Sequence, residues 1–377
     1  MNLTKYKLGD LIVQRREKNN NYDVPIRGVS KEGFIPAKQK DADTSIYNVF
    51  YKYDFVFNPA RMELNSIALN LEYDKALCSS LYEVFYVKDE SIVLPEFLNL
   101  HIKRDEFARH CDYIGLGSAR EYCRFANIAE FDIELPPIEV QEGIVEADRL
   151  IKKRIRLNNQ MIQHLEATAQ ALYRKTFVEN IDKENLPEGW RMGTLGEFGV
   201  VITGKTPSSD NPEDFGNDMP FVTPGDFGKY HKFAIGAERE LSEIGVKRLN
   251  GKVLTKGSVI VTCIGSDMGK VTIASEECIT NQQMNSIIVN RREYSDYLFY
   301  VLSFMSKELR AMALGSSTMP LLNKSDFERI RVIFPPNDLL VKFSQLLNTC
   351  NETTILKQKE NIKLTELQSL LLAKMGQ

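Results

Sequence analysis

The sequence predicts an α+β fold: two mixed α/β globular units separated by two long helices that pair as an antiparallel coiled coil, with a pseudo-twofold internal repeat. Three observations predict it. Residues 131–177 superpose on the chain 199 positions later, placing Pro136-Pro137 on Pro335-Pro336, Leu157 on Leu356, Leu165 on Leu364, Leu172 on Leu371 and Lys175 on Lys374, and self-similarity at a fixed offset marks a repeated architecture. Each copy follows its double proline with apolar residues at a seven-residue period, the pattern of a helix with one long seam. The rest of the chain carries short β-type runs between turn residues.

Along the chain, 1–135 is expected to form the first globular unit, with β-type runs at Tyr47 to Phe57 and Tyr82 to Val87 and a helical pattern near 96–110. The stretch 136–180 is expected to be a central helix entered through Pro136-Pro137, since proline is tolerated at a helix start. Its ladder is Ile144, Ile151, Asn158, Leu165 and Leu172, accompanied by Ile155, Ile162 and Ala169. Glu179 to Asn185, charged and without apolar period, followed by Leu-Pro-Glu-Gly-Trp190, reads as the link into a second unit, 181–334. There the β-type runs are Ser258 to Ile264, Val271 to Ala274 and Ser286 to Val289, with a helical pattern near 294–313. The C-terminal helix, 335–377, repeats the ladder as Phe343, Cys350, Lys357, Leu364 and Leu371. Both ladders turn polar at the same middle rung, so antiparallel pairing is expected to bring Asn158 against Lys357 and fix the register. Helices of about 38 residues are roughly 57 Å long at 1.5 Å per residue, more than one globular core covers.

Composition narrows the function. Of 377 residues 43 % are hydrophobic and 26 % charged, ordinary for a globular chain. No run approaches 18 apolar residues, and Met1 to Asp10 lacks the apolar core of a secretory signal, so a cytoplasmic protein without a membrane span is expected. Six cysteines without a CxxC pair and four scattered histidines give neither a disulfide framework nor metal-ligand spacing. With 48 Lys and Arg against 51 Asp and Glu, the bulk basicity that drives sequence-independent phosphate binding is missing. If DNA is the partner, specific contacts or partner proteins must help.

Enzymatic motifs fail on context. Gly199 to Thr206 satisfies the phosphate-loop expression letter for letter, but that site needs a helix opening directly after Lys205-Thr206. Pro207-Ser-Ser-Asp-Asn-Pro212 follows instead, and Val200, Val201 and Ile202 read as strand. Ser266 stands one position early for a nucleophile elbow in Gly265 to Gly269, and no strand-linked GxGxxG suggests a dinucleotide or S-adenosylmethionine pocket. The dipeptides Pro136-Pro137 and Pro335-Pro336 are not the Asn/Asp-Pro-Pro-aromatic motif of amino-methyltransferases.

In the second half, Leu186-Pro-Glu-Gly-Trp190, Leu195-Gly196-Glu197, Gly204-Lys-Thr-Pro207, Pro220 to Asp226, Gly269-Lys270 and Asn281-Gln282 follow one another in order. In the first half the corresponding pieces are Phe57 to Arg61, Ser66 to Ala68, Ser79 to Tyr82, Gly117 to Arg120 and Leu135 to Gln141. With these pieces the whole chain resembles the specificity subunit of type I DNA restriction-modification systems. Departures accompany the matches. Tyr6 to Asp10 lacks the Pro-x-Gly-Trp lead, Asn65 stands where the family tends to have Gly, Glu121 stands where Gln is usual, and Asn337-Asp-Leu-Leu340 replaces the Glu-Gln that opens the second helix.

The resemblance implies a non-catalytic reader of double-stranded DNA. Each target-recognition domain would read one half of a bipartite target, while the helix pair sets the gap and docks two methyltransferase (modification) subunits. S-adenosylmethionine would be bound by those subunits, and ATP with Mg by restriction/translocase subunits, with no cofactor in this chain. Base readers need Arg, Lys, Asn and Gln on loops, with Ser, Thr and Lys on phosphates. The candidates are Lys205, Thr206, Ser208, Lys270, Asn281, Gln282, Gln283, Ser316, Ser317 and Thr318 in the second domain, and Arg15, Arg16, Arg27, Arg61, Ser118, Arg120 and Arg124 in the first. Two other readings stand beside this one: a coiled-coil adaptor that joins proteins without DNA, and the reader part of another DNA methyltransferase or nuclease system.

Overall fold

A computed structural model describes residues 3–37, 43–115, 122–265, 268–314 and 321–375. The chain forms two units, Met1–Ile155 with Lys363–Gln377, and Arg156–Ile362. Each unit therefore holds one globular domain together with one end of each long helix, which run Ile138–Phe177 and Asn337–Lys374. Both helices start directly after their double proline, whose fixed φ suits a helix entry.

The two domains repeat one strand order. In the first unit an antiparallel sheet runs Ile12–Arg15, Glu83–Val87, Phe55–Phe57, Ile67–Leu69. In the second it runs Gly199–Thr203, Met284–Val289, Val259–Thr262, Val271–Ala274, and adds a short fifth strand, Phe233–Ala234, parallel to its neighbour. Both domains are closed at the helix junction by a two-stranded pair, Thr4–Lys7 with Asp132–Leu135 and Arg191–Thr194 with Arg331–Phe334. Local detail departs from the expected runs. Tyr47 to Phe57 is two strands, Asn48–Tyr51 and Phe55–Phe57, parted by a turn in which Tyr53 takes φ +69°. The helical patterns are each two helices, Pro95–Ile102 with Asp105–Gly115 and Tyr294–Phe304 with Ser306–Leu314.

Alternation along the strands assigns the two sheet faces. Phe55, Phe57, Phe85 and Val87 join the main core of the first unit with Phe97 and Leu98, whereas Val56, Val84 and Ala68 face a second cluster around Phe50. In the second unit Val201, Val259, Val261 and Ile287 pack toward Tyr297 and Leu298, and Ile260, Met284 and Val222 form the opposite cluster. Full burial of Val259–Thr262 follows from cover on both faces. Asn65, where the family tends to have Gly, sits at φ +53°, the left-handed region that glycine adopts freely and asparagine tolerates better than most residues.

The long helices run antiparallel within each unit. In the second, Phe343 packs edge-on to Phe177 at 4.9 Å while Asn361 bonds Asn158 and Asn159; in the first, Gln368 donates to Asp148 at 2.6 Å. The expected register pair is corrected here. Asn158, 2 % exposed, donates to Asn361 Oδ1 at 2.9 Å, and Asn361 Nδ2 donates to Asn159 at 2.7 Å. Lys357 instead places its ammonium on Glu360 of its own helix at 2.8 Å. Beyond Phe343, the ladder that turns inward is Leu347, Thr354 and half-buried Asn361, three residues out of step with Cys350 and Lys357. An amide both donates and accepts, so two asparagines close on each other; an ammonium only donates and seeks a carboxylate.

All six cysteines are free thiols, five of them buried. Among the described residues no helix is long and apolar enough to cross a membrane.

Candidate nucleic-acid interface

Antiparallel pairing places four loops of the second domain at one end of its sheet. Thr203 lies opposite Asn285, Thr262 opposite Met284, and Val261 opposite Val271. The segments that leave Thr203 and Thr262 therefore lie beside those that enter Met284 and Val271. Backbone bonds tie them together: Gly204 N–H to Met284 O at 3.1 Å, Lys205 N–H to Thr280 O at 2.9 Å, Cys263 N–H to Gln283 O at 2.8 Å, and Gly269 N–H to Thr262 O at 2.8 Å. Gly204 is required by this approach, because a Cβ there would lie 2.1 Å from Asn281 O.

Seven of the ten candidates in this domain converge on that end. The Thr206 hydroxyl bonds Gln282 Oε1. Asn281 and Gln283 brace each other, Asn281 Nδ2 donating to Gln283 Oε1 at 3.1 Å and Gln283 N–H to Asn281 Oδ1 at 3.0 Å. This local bonding holds the Gln282 side chain outward, exposed. Lys205, Ser208 and Lys270 are exposed beside it, with Lys270 N–H on Thr262 Oγ1 at 3.0 Å and Ser208 Oγ on Asp210 at 3.3 Å. Phosphate-loop chemistry finds no geometry here: Gly199–Thr203 is a strand in the sheet and no helix opens at Lys205-Thr206. Ser316, Ser317 and Thr318 lie outside the described residues.

The first domain builds its equivalent end differently. Arg15 lies opposite Val84, and Phe57 lies opposite both Glu83 and Ile67, so the loops after Arg15 and Phe57 lie beside those before Glu83 and Ile67. Arg16, exposed, donates to Gln14 at 2.8 Å, Gln14 donates to Glu83 at 3.1 Å, and Arg124 reaches the same carboxylate at 3.5 Å. Arg61 is exposed on the turn Pro59–Leu64, capped by Asn58. Arg15 points inward instead: it grips Asp54 through Nε at 2.6 Å and Nη2 at 3.0 Å, between the rings of Tyr51 and Tyr86. The fork matches a carboxylate so well that this arginine braces the sheet. Arg27 lies over Tyr73 and donates to its hydroxyl at 2.8 Å. Ser118 and Arg120 lie outside the described residues.

Sequence reading missed Gln14 and Glu83, which organise Arg16 and Arg124. A lone Gln in a strand and one of 51 acidic residues give no local signal. It also missed Lys232, a buried ammonium on Asp296 at 2.5 Å, whose burial pulls its pKa down against the carboxylate's pull. Beside it, Glu166 raises the pKa of His231.

Comparison with known proteins fits the duplicated end. Among characterised relatives, the HindI specificity subunit of Haemophilus influenzae is 26 % identical over 76 % of this chain and 77 % of its own length. The MjaIX specificity subunit of Methanocaldococcus jannaschii is 29 % identical over 50 % of this chain and 44 % of its own length. Among solved structures, the S subunit of a type I restriction-modification system from M. genitalium aligns with a TM-score of 0.65 at 14 % identity, over 100 % of this chain and 96 % of that one, a likeness of fold. The family model described as the type I restriction modification DNA specificity domain matches twice, over residues 3–167 and 187–366. Two matches on two domains of one strand order leave one conclusion: the chain belongs to the type I restriction-modification DNA specificity family.

Proposed function

We propose that this chain is the non-catalytic DNA sequence-recognition subunit of a type I restriction-modification complex, each domain reading one half of a bipartite double-stranded target. The observation that carries the proposal is the duplicated sheet end, where loops from matching strands carry Arg16 and Arg61 in one domain, with Arg124 joined to them through Glu83, and Lys205, Lys270 and the Asn281-Gln282-Gln283 run in the other. Amide and guanidinium groups held on loops by local bonding suit bidentate contacts to purine edges. The long helices set the unspecified gap and dock two modification subunits, which bring S-adenosylmethionine. Restriction subunits bring ATP and Mg. Partner subunits also supply positive charge, since the chain itself has net charge −3 and little drive for sequence-independent binding. The complex works on cellular DNA in the cytoplasm.

The test is base-resolution methylation of the host genome with the gene intact and deleted. One bipartite motif is expected to disappear on deletion. An unchanged methylome in a host that expresses the modification subunit contradicts the assignment.

A further inference from the structure

The two halves share a fold, yet they join their helices differently. In the second unit Lys232 is 3 % exposed and bonds to the sheet and to three helices. Its ammonium donates to Asp296 of Tyr294–Phe304 at 2.5 Å and to Asn351 of the C-terminal helix at 2.9 Å. Asn351 Nδ2 returns a bond to Asp296 at 2.9 Å, and Ser344 Oγ adds another at 3.3 Å. The Lys232 N–H donates to Glu166 of the central helix at 3.0 Å, and its carbonyl accepts from Ile273 N–H in the sheet at 2.9 Å. One residue thus ties the sheet to three helices through directional bonds.

The fold does not demand this arrangement. The buried positions of Pro95–Ile102 recur 200 residues on, so Asp296 corresponds to Glu96, which is part-exposed and 4.0 Å from Arg149 of the central helix, while Ser344 corresponds at the 199-residue offset of the long helices to Val145, buried in the apolar core of the first unit. Lys232 directly precedes Phe233–Ala234, the fifth strand, which has no counterpart in the four-stranded sheet of the first unit. Among the described residues, the fifth strand and a buried lysine occur in the second half alone. A buried ion pair adds little net stability over a well-packed apolar replacement, and its best-attested use is to fix one geometry among several. The node also lies close behind the reading end: His231 and Lys270 line one cleft of about 290 Å³.

We propose that Lys232, Asp296 and Asn351 are positioning residues for DNA recognition: they fix the angle at which the second domain presents its loops, and so which gap between half-sites is accepted. This rests on the reading of the chain as a two-headed DNA reader. The required angle is small. Across a domain roughly 30 Å wide, one base-pair step of about 3.4 Å corresponds to a tilt of roughly 6°. Apolar packing in place of the ionic node leaves the domain docked and lets it rock by that amount.

The experiment is genome methylation in the host carrying the full complex, with the wild-type subunit, Lys232→Leu/Asp296→Leu, and Asn351→Leu, which keeps the ion pair. Both variants are expected to methylate the same half-site bases while preference for the native gap over gaps one base pair longer or shorter falls about tenfold in the double variant, equivalent to 1.4 kcal/mol, and less in Asn351→Leu. An unchanged gap ratio overturns the proposal. A uniform loss of methylation at every gap overturns it equally, because the node would then be holding the domain together rather than aiming it. If gene deletion itself removes no bipartite motif, the DNA-reading assignment fails, an outcome distinct from both.

Discussion

Replacing Asn158 with Leu tests the amide pair between the long helices. Asn158 is 2 % exposed and donates to Asn361 at 2.9 Å, and Asn361 donates in turn to Asn159. Leucine fills the space but takes one donor from the side-chain oxygen of half-buried Asn361, and the loss of such a hydrogen bond costs about 0.5 to 1.5 kcal/mol. Extra apolar burial offsets part of this, so a net loss of about 1 kcal/mol is expected, read as a fall of roughly 2 to 4 °C in the thermal transition of a unit of this size. Asn361→Leu should behave similarly. Asn158→Leu/Asn361→Leu should recover most of the loss, because both polar groups leave together and half-buried Asn159 turns to water; a coupling of at least about 0.5 kcal/mol is expected from the double-mutant cycle. The assay is thermal unfolding of the purified chain followed by circular dichroism. A single variant as stable as the wild type, or a double variant whose loss equals the sum of the two singles, would refute the reasoning.

Other perturbations read out different parts of the molecule. Gln282→Ala/Gln283→Ala should relax recognition of one half-site by about 1 to 3 kcal/mol per lost base contact, with the fold intact because Cys263 is held by the Gln283 backbone; equal loss at both half-sites in a methylome would contradict the interface. Gly204→Ala brings a Cβ to 2.1 Å from Asn281 O and 2.3 Å from Thr280 O, so the two loops must part; recognition at the same half-site should fail while the other persists, and intact recognition at both would show the loops are not coupled. His101, buried and next to Arg104, has its pKa pushed down to about 4, so it stays neutral when folded while the unfolded chain takes up a proton near pH 6.5. Its contribution is complete above that pH and is lost as pH falls toward 4, about 3 kcal/mol in all. Urea unfolding of His101→Phe should show a correspondingly weaker acid loss than the wild type; parallel pH curves would exclude this residue.

Periodicity made the architecture legible. The 199-residue repeat, the double prolines and the seven-residue ladders are local patterns, and they gave the two long helices, their antiparallel pairing and the duplicated α+β domains. The register was less legible. Asn158 was visible as a polar rung, but Asn361 was passed over because Lys357 lies at the repeat-equivalent position and the inward ladder of the second helix runs three residues out of step. Whether a side chain faces inward depends on the partner surface as well as on spacing. The same holds for the interface: Asn281-Gln282-Gln283 was visible as three adjacent amides, whereas Arg15 and Arg16 are indistinguishable in sequence. One is held by Asp54, 39 positions away, and the other by Gln14 at the reading end.

The sequence by itself determined the duplicated plan and the family, because repeats, prolines and turn residues act over a few positions and survive without knowledge of neighbours. Only the tertiary structure decided which loops share an end of the sheet, which arginine is exposed, and that Lys232 is buried among Asp296, Asn351 and Glu166. Those contacts join residues 64 to 119 positions apart, and what pairs them is the fold's removal of water from a charge, which no local spacing records.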